Sequence, residues 1–182
     1  MSELSVPWLR SGTGSTPSDG GCIMQVIDWI DRNKWTDRPP CVHPVLAKLA
    51  IRANDSLDDK GRQKLLDLAP RLMGTASDDK MLSVKLAVFC ARKVLHLFEA
   101  KYPKDFRPRQ SIEAAEAWIT EPSEENRAKA IEARKHAAYA AAATALPFLI
   151  EVLEEYERIV GSKDKACVID YAPVVQAMAS VA

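Results

Sequence analysis

The chain has 182 residues, 47% of them apolar and 27% charged. Those values exclude extensive disorder, and a chain of this length buries enough surface to fold without a metal or disulfide staple. Lys and Arg number 25 and Asp and Glu number 25, so the formal charge is zero and the basic excess of a nucleic-acid binder is missing.

No apolar run approaches the ~20 residues of a membrane span, and Met1-Ser2-Glu3-Leu4 lacks the charged leader and apolar stretch of a signal peptide. Cys22, Cys41, Cys90 and Cys167 are scattered without paired spacing, which reads as reduced thiols in a cytoplasmic protein.

The first 18 residues are rich in Ser, Gly, Thr and Pro and read as a flexible N-terminal arm, with Trp8 and Leu9 as the group that docks it. Residues 19–182 then read as a single helical domain. A first helix is predicted from Ser18 or Asp19 to about Asn33, since Ile23, Val26, Ile27 and Ile30 fall on one face. Residues 35–44 hold three prolines and cannot be helical. Pro44 suits the first turn of a second helix. A third begins around 56–59 and is ended by Pro70 and Gly74. A fourth, about 79–101, confines Lys85, Arg92, His96 and Glu99 to one narrow stripe and is expected to be the most buried.

Pro108 opens a fifth helix over about 109–120, and Ser123 caps a sixth. Ten of the eighteen residues from Ala128 to Ala145 are alanine, which favours helix and close helix–helix approach. Pro147 interrupts, a seventh helix ends at Gly161, and Asp170 and Pro173 suggest a short eighth. Strand signals and a fixed repeat are lacking. The expected product is all-α, a compact bundle of seven or eight helices.

Two groups of polar residues are candidates for chemistry or contact. The first is Trp35, Asp37, Cys41, His43, Asn54 and Asp55; the second is Arg107 and Arg109. Cys41 and His43, with Asp37 and Cys22, have the donor types of a zinc site, but structural zinc sites use two paired knuckles and only one loose pair is here. Cys41 beside His43 also has the residue types of an activated thiol, although residues two apart need not point together. The plainer reading is a cysteine packed as a small hydrophobe and a histidine bonded to the loop backbone. Asn54 and Asp55, followed by Asp58 and Asp59, read as a helix end and the next helix cap. Arg107-Pro108-Arg109 sits where helix amides could hold an anion, or forms a solvated corner paired with Asp105 or Glu113. No cofactor is implied.

Two sets of short words carry a resemblance. Cys22-Ile23-Met24-Gln25, Trp35 through Ala47, Asn54-Asp55 and Arg71 through Thr75 resemble small helical proteins of actinobacteria and their phages. Cys90-Ala91-Arg92, Leu97-Phe98-Glu99, Asp105 through Arg109 and Ile112 through Trp118 are similar to a helical immunity-protein domain of polymorphic-toxin systems. The resemblance implies a non-enzymatic module that binds another protein, a toxin or host factor; the balanced charge and the short apolar runs argue against nucleic acid and membrane as partners. The proline-rich loop around Trp35 is then the expected contact, because rigid aromatic anchors suit preorganised binding. The alternatives are a metal-binding or cysteine-dependent enzyme centred on Asp37, Cys41 and His43, and a homo-oligomer joined through the alanine-rich helix.

Overall fold

A computed structural model describes residues 7–134 and 146–161. The alanine-rich stretch beyond residue 134, the suggested eighth helix and Cys167 lie outside the described residues. Within them the fold is all-α, and the departure from helix is one isolated parallel bridge between Leu9 and Gly21. By contact the chain forms two compact units, one from residues 1–78 with 144–182 and one from 79–143.

The first unit begins with a single 3-10 turn, Pro17–Asp19, followed by α1 (Ile23–Arg32). The predicted helix from Ser18 is thus broken in two. Gly20 takes φ 70°, which is left-handed backbone, and Gly21 leaves no room for a side chain. A Cβ on Gly21 would lie 2.6 Å from the Trp35 ring and 2.7 Å from Gln25 Oε1. α1 restarts with Cys22 as N-cap and Gln25 Oε1 accepting from the Cys22 amide. Ile23, Met24, Val26 and Ile27 are wholly buried. Asn33, at φ 55°, ends the helix in the left-handed region.

Helix α2 (Pro44–Ser56) starts as its proline predicts. Its end is closed from outside: the buried Arg62 donates from Nε to the Asn54 carbonyl at 2.7 Å and from a terminal nitrogen to the Leu57 carbonyl. A cation on C-terminal carbonyls satisfies orphan acceptors and the helix dipole together. Helix α3 (Asp59–Gln63) is capped by Asp58, a 3-10 turn follows over Lys64–Leu68, and α4 (Ala69–Leu72) comes next. Pro70 therefore lies in the first turn of α4 instead of ending a helix, a position where its missing N–H costs nothing. Gly74, at φ 74°, is the stop.

The last described helix of this unit follows the second unit in the chain. It is α8 (Leu146–Val160), with Pro147 in its opening turn. It packs on α2 and buries Leu149, Val152 and Leu153. Burying a side chain of this kind stabilises by roughly 1.5–3 kcal/mol before entropy is charged. Two polar ties fix its height: Arg71 reaches both Glu157 oxygens at 3.2 and 3.3 Å, and the Tyr156 hydroxyl donates to the Thr75 carbonyl at 3.2 Å.

The second unit holds α5 (Lys80–Lys101), α6 (Arg107–Thr120) and α7 (Glu124–Arg134). Asp79 caps α5, and the Ser123 hydroxyl accepts from the Asn126 amide at the start of α7, the cap that the sequence predicts there. Arg92 on α5 forks onto Glu116 of α6, and Glu99 of α5 takes the fork of Arg109 of α6. Seven residues forward on α5 match seven residues back on α6. The two ion pairs therefore mark the register of an antiparallel helix pair with the spacing of two turns. Half-exposed pairs contribute little energy; their bidentate geometry is what specifies alignment.

The expectation that α5 would be the most buried helix is corrected. Its buried side chains are Leu82, Leu86, Val94 and Leu95 out of 22 residues, whereas α1 buries six of ten. The polar stripe is one cause, since Arg92 and Glu99 face α6 and take up part of the contact. The small side chains of α6 are another: only Pro108 and Ile112 are buried there, so little apolar volume is available to cover α5.

Candidate functional site

The polar residues of the first unit turn out to be built into its own framework. Trp35 packs edge-on against Trp29, with ring centroids 6.4 Å apart, and its Nε1 donates to the Gly14 carbonyl at 2.8 Å. Asn54 is wholly buried; its Nδ2 donates to the Arg10 carbonyl at 2.8 Å and its Oδ1 accepts from the Ile23 amide at 3.2 Å. Asp55 accepts from the Gly12 amide at 2.9 Å. These residues converge on the segment that the sequence assigned to the arm.

That segment is fastened along its length. Leu9 is wholly buried, and the Gln63 amide clamps it on both sides, accepting from its N–H at 3.0 Å and donating to its carbonyl at 2.7 Å. Gln25 does the same to Gly14, at 2.9 Å each way. Carboxamides can do this because they carry a donor and an acceptor side by side, matching a peptide group. Trp8 stays half exposed, with its ring against Gly20. Gln25 and Gln63 drew no attention in the sequence, where an isolated glutamine has no periodic signature.

Asp28 is a second residue that pattern reading missed. Its carboxylate is wholly buried, and it accepts from the Thr36 amide at 3.0 Å, the Thr36 hydroxyl at 2.7 Å and Arg32 Nε at 2.5 Å. Burial pushes its pKa up, but the hydrogen bonds from Arg32 and Thr36 outweigh that and hold the carboxyl below its ordinary value. Asp28 thereby ties the loop after α1 to the helix and sets Trp35 in place.

His43 is also wholly buried. Its Nδ1 accepts from the Val45 amide at 3.2 Å as the cap of α2, its own amide donates to the Thr75 hydroxyl at 3.0 Å, and its ring lies 6.2 Å from that of Tyr156. One of its two ring nitrogens, Nδ1, is thus engaged by a backbone N–H. Cys41 is half-buried, and its thiol is pushed up to about 12 by burial and by the neighbouring Asp31 carboxylate. A nucleophilic thiol needs the opposite surroundings, a cation or base that favours thiolate. Asp37 is half exposed and sits 3.9 Å from Arg38. Among the described residues no three His, Cys, Asp or Glu side chains come together as a metal set. With its thiol held in the protonated form near pH 8, Cys41 of the native protein should react with iodoacetamide much more slowly than a short unstructured thiol. Mass mapping of the alkylated cysteines checks this.

The second unit presents a different kind of surface. Arg107 forks onto Asp105 at 2.8 and 2.6 Å, and that ion pair draws the Asp105 carboxyl down to about 2. Arg109 is matched by Glu99. Both arginines are therefore neutralised locally, and the corner between α5 and α6 takes its character from its neighbours. Tyr102 and Phe106 are 47% and 57% exposed, and Leu97, one turn earlier, is 56% exposed. Tyr102 and Phe106 wall an open concavity of about 720 Å³, edged by Lys101 and Lys104. Large apolar side chains exposed singly are ordinary; Tyr102 and Phe106 share one concavity.

Residues 74–147 match the model of the family described as Imm-5 like putative immunity protein. The matched stretch is less than half of the chain, and it takes in α5, α6 and α7. No curated protein and no solved structure matches the chain. No described helix is long and apolar enough to cross a membrane.

Proposed function

We propose that this chain is a protein-binding module that modulates its partner in the manner of an immunity protein, without catalysis of its own. The observation that carries the reading is a coincidence of place. The segment similar to immunity proteins is the one that exposes Tyr102 and Phe106 on the wall of an open concavity. Exposed aromatic side chains on rigid helices are what protein interfaces use as anchors. The candidate residues of the first unit lend no comparable support, since Trp35, Asn54, Asp55 and His43 are engaged with backbone groups of their own unit.

Growth rescue tests the proposal. Each gene adjacent to this one in its source genome is expressed in a bacterial host, alone and together with this chain. The expected result is a neighbour whose product arrests growth, relief of the arrest by this chain, and a complex that co-purifies. Arrest that persists in the presence of soluble, folded chain would reject the reading, as would relief without any complex.

A further inference from the structure

We propose that the corner between α5 and α6 is the face that takes the protein partner, and that the partner presents there an acidic segment bearing one aromatic or large aliphatic anchor. This rests on the protein-binding reading above and adds the site and the chemistry of what it accepts.

The apolar half of the argument is the concavity itself. Tyr102 and Phe106 stand on its wall with about half of their surface open to water, and the space of about 720 Å³ is ample for one inserted side chain. The wall is held in shape before anything binds. The Tyr102 ring lies 4.9 Å from that of Phe98, the Tyr102 amide donates to the Phe98 carbonyl at 2.8 Å, and the Asp105 amide donates to the Tyr102 carbonyl at 3.1 Å. The Glu99–Arg109 fork pins the two helices just behind the corner. A surface already ordered loses little entropy on association.

The charge half decides the partner. Of the four cations around the corner, Arg107 and Arg109 are spent on Asp105 and Glu99. Lys101 lies 5.4 Å from the centre of the Tyr102 ring, in the last turn at the negative end of α5, while Lys104 lines the concavity beside the Asp105 that Arg107 already pairs. The lining is therefore net positive around an aromatic floor, although the chain as a whole is neutral. A basic partner would be repelled from it. Nucleic acid would find two available cations where stable binding draws on several phosphate contacts. An acidic protein segment with an apolar anchor satisfies both halves at once.

The test uses the full chain and three fluorescein-labelled twelve-residue peptides: one with acidic residues around a single Trp, one with lysines replacing the acids, and one with Ser replacing the Trp. Binding is read by fluorescence anisotropy for the wild type, for K101E/K104E and for Phe106→Ser. Unchanged circular dichroism and melting verify that each variant is folded. The acidic Trp peptide is expected to bind, to weaken with salt, and to lose about tenfold or more in affinity with either variant; the other two peptides should bind poorly. Equal binding of the lysine peptide, or binding unaffected by both variants, overturns the assignment. So does an oligonucleotide of the same charge that competes as well as the peptide, or concentration-dependent self-association removed by Phe106→Ser in place of peptide binding. The two proposals fail separately. If the wild type rescues growth and both folded variants rescue equally well, the surface is wrong and the function stands. If peptide binding maps to the corner while the wild type rescues nothing, the function is wrong and the surface stands.

Discussion

Replacing Asp28 with alanine is expected to destabilise the protein by about 2–3 kcal/mol, read as a lower urea midpoint with an unchanged slope. The native carboxylate holds three donors, the Thr36 amide and hydroxyl and Arg32 Nε. Removing it takes away charge-assisted bonds, leaves a small void beneath the loop, and releases the turn that carries Trp35. Arg32 and Thr36 can reach water, which is why the loss stays below that of a fully buried ion pair. Near-ultraviolet circular dichroism should flatten as the Trp29–Trp35 contact loosens.

The same carboxylate gives the protein an acid limb. Its folded pKa lies below the ordinary value because the donors outweigh the effect of burial. Its stabilising contribution is then complete above the unfolded carboxyl value of about 3.9 and fades as pH falls through the lower folded value. Asp28→Asn should start from lower stability at neutral pH and lose less between about pH 5 and pH 3 than the wild type. Equal acid sensitivity of the two proteins would show that the carboxylate is not held by these donors.

Asn54→Ala is expected to cost a similar amount, about 2–3 kcal/mol, because it orphans the buried Ile23 amide and frees the Arg10 carbonyl together. The consequence is also local. Arg10 is exposed and lies between two clamps, Gln63 on Leu9 and Asn54 on its own carbonyl. Trypsin should cut after Arg10 slowly in the wild type and several-fold faster in Asn54→Ala, well below the denaturant concentration that unfolds the rest. Identical cleavage rates would mean that the amide does not hold this segment.

What could be read from the chain was whatever depends on neighbours along it. Pro44 and Pro108 at first turns, Asp58 and Ser123 as caps, and Gly161 as a stop all act within about four residues, and those helices begin and end accordingly. Ile23, Val26 and Ile27 of the predicted stripe are buried, but so are Met24, Gln25 and Asp28 between and after them, because the first half of α1 is enclosed on all sides. The α1 start was misplaced because the break at Gly20 and Gly21 is imposed from a distance, by the Trp8 and Trp35 rings lying against them. Pro70 was misjudged for a nearer reason: a proline that ends one helix and one that opens another look alike until the turn before it is known to be 3-10.

The roles of polar residues belong to the other class. The sequence singled out Asn54 and Trp35 for possible chemistry or contact, yet their side chains pair with Arg10 and Gly14, 44 and 21 positions away. No local pattern encodes such a pairing, because a side-chain donor finds its acceptor only after helices have packed and excluded water. The sequence by itself determined an all-α fold, those helix termini that local caps and prolines set, and the neutral overall charge, since propensity, capping and periodicity are properties of short windows. Only the tertiary structure decided that the first candidate cluster serves the framework while a neutral chain keeps a cationic, aromatic corner, because burial and ion pairing depend on which surfaces meet.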